Sequence, residues 1–257
     1  MTAPFTKSRP GAPAGFFAVE AAGLAWLRGA GGPAVPDVVE VGREHIVLAR
    51  VTEVGPTVRA AEQLGRGLAR MHRAGAPHHG APPTGWSVDG FIATLPLPHQ
   101  VEDHGLGWAE FYAAHRVMPF LRLARDHGVV DAHGAAAVER VCARLTTGVV
   151  PVPTAEPARL HGDLWAGNVL WSANGPVLVD PAAHGGHRET DLAMLALFGL
   201  PHLDRVLAAY DEVHPLAEGW RDRVALHQLH PLLVHATLFG GGYVGQAASA
   251  ARRAVQP

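Results

Sequence analysis

The segment His161-Gly-Asp163-Leu-Trp-Ala-Gly-Asn168 carries a carboxylate and, five residues later, a carboxamide. A single loop can turn both side chains into one space. Beyond it, 168–171 and 176–180 read as two strands joined through Ser172-Ala-Asn174-Gly175. Asn-Gly is a strong hairpin signal because both residues tolerate positive φ. The hairpin folds the chain back and returns Asp180 beside Asn168. Asn168 and Asp180 then offer hard oxygens to Mg²⁺, which takes one or two protein oxygens and completes its shell with phosphates and water. Asp163 is left to accept or orient the proton of an attacking hydroxyl. Phosphoryl transfer needs this division of labour, since positioning and charge neutralisation supply most of the catalysis. Singly, an Asp or Asn in a loop is more often a turn former. The joint spacing and the hairpin favour the metal site.

Two scarcities point the same way. Lys7 is the only lysine, every other basic residue being Arg, and asparagine occurs only at 168 and 174. In a chain rich in Ala, Gly, Pro and Arg, a surviving lysine invites a chemical role. In kinase architecture a strand lysine bridges the α- and β-phosphates and is held by a helix glutamate. Glu20, in the first helical segment, is the natural partner for Lys7.

The elements that must position these groups follow from periodicity. Over 15–28 the residues Phe16, Val19, Leu24 and Leu27 recur at helical spacing. Residues 38–41 and 45–51 read as strands around a turn at Gly42, and 58–73 as a helix with Leu64, Leu68 and Met71 on one face. The Gly- and Pro-rich stretch 78–90 reads as a loop, after which the chain becomes mainly helical. Pro119 should kink a long helix that starts near Trp108, 135–145 forms another, and 190–253 is helical with breaks at Pro201, Pro215 and Pro231. The plan is α+β: a small strand-bearing lobe over 1–77 and a larger helical lobe over 78–257 that carries the hairpin.

Composition removes other classes. The chain has 257 residues, 48% hydrophobic and 17% charged, ample for a core and too apolar for a disordered chain. A net charge of −2 advertises neither nucleic acid nor an anionic membrane. The single cysteine, Cys142, excludes a disulfide framework and suits a reducing compartment. No apolar run approaches a membrane span and the first residues lack the apolar core of a signal peptide, so a cytoplasmic protein is expected.

Leu160-His-Gly-Asp-Leu-Trp-Ala-Gly-Asn168, Val179-Asp-Pro181 and Gly186-His-Arg-Glu-Thr-Asp-Leu-Ala193 resemble the fructosamine-kinase (ketosamine-3-kinase) family. That family is related to aminoglycoside and choline kinases. The resemblance extends to Phe91-Ile-Ala-Thr-Leu-Pro96, to Trp108-Ala-Glu-Phe-Tyr112 with Arg116, and to Phe239-Gly-Gly-Gly-Tyr243, so it covers nearly the whole chain. It implies a protein-kinase-like two-lobe fold and ATP-dependent phosphorylation of the sugar 3-hydroxyl of ketosamines, as metabolites or on glycated proteins, in deglycation repair. It further implies Asp163 as catalytic base, Asn168 and Asp180 as Mg²⁺ ligands, and Lys7 with Glu20 as the ATP-positioning pair. Val47, Leu48, Ala49, Arg50 and Val51 would lead into the hinge that meets adenine. Trp165, His187 and Glu189 would line the sugar site, with His161 and Asp191 bracing the catalytic loop.

Family members usually begin with two strands and a Gly-containing turn over the ATP phosphates. With Lys7 so near the start, the small lobe is expected to be short of that flap. Two other readings stay open: a kinase of the same fold acting on an aminoglycoside or amino-alcohol, and a non-catalytic remnant. Gly240-Gly-Gly242-Tyr-Val-Gly245 matches G-x-G-x-x-G but opens no βαβ unit, so a dinucleotide site is declined. Neither His227, His230 and His235 nor His184 and His187 has a convincing carboxylate to complete a metal set.

Overall fold

Strand-forming residues near the N-terminus build a small antiparallel sheet in the computed structural model, which describes residues 3–255. Strands β1 (Phe5–Ser8), β2 (Val38–Val41) and β3 (His45–Leu48) lie in the order β1-β3-β2. Lys7 pairs with Ile46 in the register. Ile46 and Leu48 alternate inward on the central strand and pack with Ala12, Phe17 and Leu24. Phe17 and Leu24 belong to helix α1 (Phe16–Arg28), which also carries Glu20. The third strand stops at Leu48, shorter than the 45–51 run, although the Ala49 N–H continues its register with a bond to the Asp37 carbonyl at 2.8 Å.

Helix α2 (Val58–Arg73) has the limits its periodicity predicts. Thr57 caps it, its Oγ1 accepting the Ala60 N–H at 3.1 Å. The loop that follows gives way to an unexpected hairpin of β4 (Gly90–Ile92) and β5 (Leu95–Leu97). The helix with Pro119 runs on without a break and takes up the proline through a change of helix type. It runs as α3 (Trp108–Phe111), a π-helical turn (Tyr112–Val117) and α4 (Met118–Asp126), with Pro119 in the first turn of α4. Proline cannot donate to the carbonyl of residue 115. That carbonyl instead accepts Nη1 of Arg116 at 2.8 Å.

After α5 (Ala132–Thr146), strand β6 (Ala158–Leu160) leads into the His161 loop. A short 3₁₀ turn (Ala166–Asn168) precedes the hairpin of β7 (Val169–Ser172) and β8 (Gly175–Leu178), in which Ser172 faces Gly175 across the tight turn. Its second strand ends at Leu178, two residues short of the expected limit at 180. Strand β9 (His184–Gly186) pairs antiparallel with β6. The helices α6 (Glu189–Phe198), α7 (Leu203–Val213), α8 (Trp220–His227), α9 (Leu229–Phe239) and α10 (Gly242–Ala254) follow. Breaks fall at Pro201 and Pro215 as expected, but Pro231 lies inside the first turn of α9, where an N–H has no intrahelical acceptor.

The chain divides into two compact units, Met1–Glu102 with Pro157–Leu216, and Asp103–Glu156 with Ala217–Pro257. In the first, α2 and α7 pack so closely that a Cβ at Gly65 would collide with the Val206 carbonyl. Leu64, Leu68, Met71, Val206 and Tyr210 are fully buried in its core. In the second, Tyr112 is buried and its hydroxyl donates to the Leu226 carbonyl at 2.8 Å. Among the described residues no helix is long and apolar enough to cross a membrane.

Candidate active site

The loop after β6 is held by one buried carboxylate from the first turn of α6. Asp191 Oδ2 accepts the His161 N–H at 2.8 Å and Oδ1 accepts the Gly162 N–H at 3.0 Å. Burial alone would push the Asp191 carboxyl up. The bond from His72 and the neighbouring histidines, with the backbone donor, outweigh burial and hold it below the ordinary carboxylate range. His161 is buried and threads the loop from within: Nε2 donates to the Val179 carbonyl at 2.9 Å while Nδ1 accepts the Asp163 N–H at 3.3 Å. Burial lowers the imidazole, so it remains neutral. Gly162 has φ +83°, and a Cβ there would collide with the Ala182 carbonyl. Only glycine fits that position.

Asp163 and Asn168 meet, as the five-residue spacing predicts. Asn168 Nδ2 donates to the Asp163 backbone carbonyl at 2.8 Å and to its Oδ2 at 3.1 Å. Burial pushes the Asp163 carboxyl up to about 6, with Asp180 and Asp191 adding to the rise and Asn168 and Lys7 opposing it. The hairpin brings Asp180 back: the Val179 N–H bonds the Asn168 carbonyl at 3.1 Å, and Asp180 follows with φ +53°. An Asp in the left-handed region is uncommon and clusters at functional sites.

Lys7 joins this group to the small sheet. Its Nζ lies 3.0 Å from Glu20 Oε2 and 2.9 Å from Asp180 Oδ1. Burial would lower the ammonium, but Glu20 and Asp180 together hold it above its ordinary value. Burial raises the Glu20 carboxyl against the pull of Lys7, and Asp180 adds like charge. The other Glu20 oxygen, Oε1, is buried with no hydrogen-bond partner among the described residues. The Lys7–Asp180 contact was not expected from the sequence.

The donor set suits a hard divalent cation. Asp180 is 43% exposed at its side chain, and among the described residues no donor bonds Asn168 Oδ1. A carboxylate and a carboxamide oxygen are ligands that Mg²⁺ takes alongside phosphate and water.

The remaining expected residues are placed less directly. Val47 and Leu48 end β3, and Ala49, Arg50 and Val51 continue outside regular secondary structure. Arg50 Nε donates to the Ala3 carbonyl at 2.9 Å. Trp165 is 39% exposed and its ring meets Phe198 edge-on at 6.1 Å. His187 and Glu189 are buried at the head of α6, where His187 Nδ1 accepts the Glu189 N–H at 3.2 Å. Sequence reasoning missed His72 and Tyr210. His72 Nε2 lies 3.2 Å from Asp191 Oδ2, and Nδ1 lies 2.9 Å from the Tyr210 hydroxyl. The signal was available, since His72 stands four residues after Leu68 on the apolar face of α2.

The family model described as fructosamine kinase matches residues 2–256. A Thermus thermophilus protein named "probable ketoamine kinase" is 38% identical over 240 residues, 93% of this chain and 82% of its own length. The Arabidopsis thaliana protein-ribulosamine 3-kinase is 35% identical over 212 residues, 81% of this chain and 61% of its own. A Thermobifida fusca crystal structure, named for fructosamine-3-kinase, superposes with a TM-score of 0.90 at 49% identity, covering 99% of this chain and 86% of that one. A choline/ethanolamine kinase family structure from Mesorhizobium loti covers 98% and 82% with a TM-score of 0.60 at 14% identity, a likeness of fold alone. With a loop, hairpin and lysine arranged as above, the chain belongs to the fructosamine kinase family, α+β phosphotransferases of protein-kinase-like fold.

Proposed function

We propose that this chain transfers the γ-phosphoryl group of ATP to the sugar 3-hydroxyl of ketosamines, the fructosamine and ribulosamine adducts of free or protein-bound amines. One observation carries the reading: Lys7, Glu20 and Asp180 meet within electrostatic reach of the Asp163–Asn168 loop. Family membership supports the ketosamine, and the name of the Arabidopsis relative supports the 3-hydroxyl.

Asp163 receives the proton of the attacking hydroxyl. Its raised carboxyl stands nearer to neutral pH than an ordinary Asp, and a base is most effective close to its working pH. Lys7 engages the α- and β-phosphates, with Glu20 fixing its direction. Asn168 and Asp180 would hold Mg²⁺, which supplies charge neutralisation on the phosphates. The backbone of 47–51 faces adenine; the Ala49 N–H is already spent on Asp37, which leaves the chain from Arg50 to Val51. Trp165, His187 and Glu189 serve the sugar side, and His161 with Asp191 braces the loop.

A phosphate at C3 makes the adduct labile. Enolisation of the neighbouring ketone towards the amine-bearing carbon expels the 3-phosphate, and hydrolysis then releases the amine. The role that follows is deglycation repair.

The test is incubation of the full chain with Mg-ATP and either fructoselysine or ribuloselysine, with the product's phosphate position read by NMR. Phosphate at C3 of at least one adduct is expected. Transfer only to an aminoglycoside or choline would overturn the substrate, and transfer to no acceptor would overturn the enzyme.

A further inference from the structure

The brace on the catalytic loop is itself held from behind. Asp191 Oδ2 faces His72 Nε2 at 3.2 Å, and His72 Nδ1 faces the Tyr210 hydroxyl at 2.9 Å. His72 comes from α2 and Tyr210 from α7, and both are buried, at 2% and 0% exposure. The path from Tyr210 to the two loop amides crosses four segments of the first unit without meeting water.

The chemistry fixes the direction of each bond. An ionised Asp191 only accepts, so His72 presents Nε2–H to it. Burial raises the Tyr210 phenol far above its ordinary value, so the hydroxyl keeps its proton and can donate to Nδ1. A hydrogen bond on one ring nitrogen of a neutral histidine sets which tautomer the other presents. Tyr210 therefore selects the His72 tautomer that holds Asp191. Asp191 in turn holds the His161 and Gly162 amides, the two residues before Asp163.

We propose that His72, oriented by Tyr210, is a positioning residue for phosphoryl transfer. It fixes the Asp191 carboxylate and, through it, the backbone that presents Asp163. The kinetic part rests on the function proposed above; the structural part does not. A residue that only fills the α2–α7 interface would affect stability and leave the loop amides alone.

Hydrogen exchange resolved at the His161 and Gly162 amides separates these cases, because it needs no substrate. In His72→Phe and Tyr210→Phe, exchange at both amides should be about tenfold faster than in the parent, while the β7–β8 ladder is unchanged. With ketosamine as acceptor, kcat should fall about tenfold with KM for ATP within about twofold, since an interaction with the loop and not with nucleotide is lost. His72→Gln, which can place an amide N–H towards Asp191, should restore most of both. If His72→Phe does not fold, Tyr210→Phe decides alone, for it removes one hydroxyl and keeps the ring. Unchanged exchange at the two amides in a folded variant would overturn the proposal, as would faster exchange with unchanged kcat. If the parent transfers no phosphate to ketosamines, the proposed function falls, while the exchange data still decide the brace.

Discussion

Lys7 Nζ lies 2.9 Å from Asp180 Oδ1, although 173 residues separate them in sequence. The same ammonium contacts Glu20, so one cation ties the small sheet, α1 and the end of the β7–β8 hairpin together. Such a group can hand its charge from a carboxylate to a phosphate with little movement. Lys7→Met should lower kcat/KM for ATP by about 100-fold or more, the scale seen when one preorganised electrostatic partner is removed. Lys7→Arg should rescue little, because a planar fork does not replace a compact ammonium between two carboxylates. Steady-state kinetics with varied ATP checks both, and an Arg variant as active as the parent would refute the assignment.

The raised Asp163 carboxyl predicts a pH signature. If the ionised group is the base, log kcat/KM should fall by about one unit per pH unit below the carboxyl's value near 6. Stability moves the other way. A carboxyl whose folded value exceeds its unfolded value favours the folded state most below the unfolded value, near 4, and loses that contribution as pH rises through about 6. Asp163→Asn should therefore be inactive yet more stable than the parent at pH 8, by about 1–3 kcal/mol. The difference should shrink towards zero near pH 4. Urea unfolding at both pH values measures it, and a destabilised Asn variant at pH 8 would contradict the buried-carboxylate account.

Gly162 combines φ +83° with contact against the Ala182 carbonyl. Gly162→Ala should cost about 3 kcal/mol or more, since left-handed strain and a backbone collision add. The loop cannot relax outward without giving up the Asp191 bond to its N–H. Activity should be lost even at temperatures where the variant remains folded. A variant with the parent's melting temperature and activity would show that the loop is looser than these contacts imply.

How much of this was legible in the sequence depended on range. Helix α2 could be read to its limits because an apolar stripe and a Thr cap lie within the segment itself. Asn174-Gly175 marked the place of the β7–β8 turn, although only Gly175 takes a positive φ, +119°, and it already belongs to β8; Lys7 drew notice as a lone lysine with Glu20 in the next helix. The β4–β5 hairpin did not, because its turn places an alanine, Ala93, at φ +49°, where no turn rule looks for one. Strands β6 and β9 hold three residues each and pair across an intervening loop and hairpin, too short for a period-2 pattern. The meeting of Asp163 with Asn168 was legible because both lie in one loop. The contacts of Asp180 with Lys7 and of His72 with Asp191 were not: spacing from Leu68 puts His72 on the buried face of α2, but the partner it meets there depends on tertiary packing.

Arg159 shows the same dependence on packing and supplies a test of it. Its Nη1 donates to the Trp26 carbonyl at 2.8 Å and its Nε to the Gly75 carbonyl at 3.2 Å, with the guanidinium 4.6 Å from the centre of the Trp26 ring. Trp26 lies in the last turn of α1 and Gly75 just beyond α2, so one cation serves the negative ends of two helices. Arg159 stands on β6, two residues before His161, and the clamp therefore links the helices bearing Glu20 and His72 to the strand that feeds the His161–Asn168 loop. Arg159→Ala should cost about 2–4 kcal/mol, as expected for two charge-assisted hydrogen bonds and a stacked contact. Arg159→Lys should recover less than about half of that, because one ammonium cannot span both carbonyls in the geometry a guanidinium fork provides. Urea unfolding of the three proteins gives the comparison. A Lys variant as stable as the parent would mean that charge alone stabilises the two helix ends, and the clamp would have no part in holding them to β6.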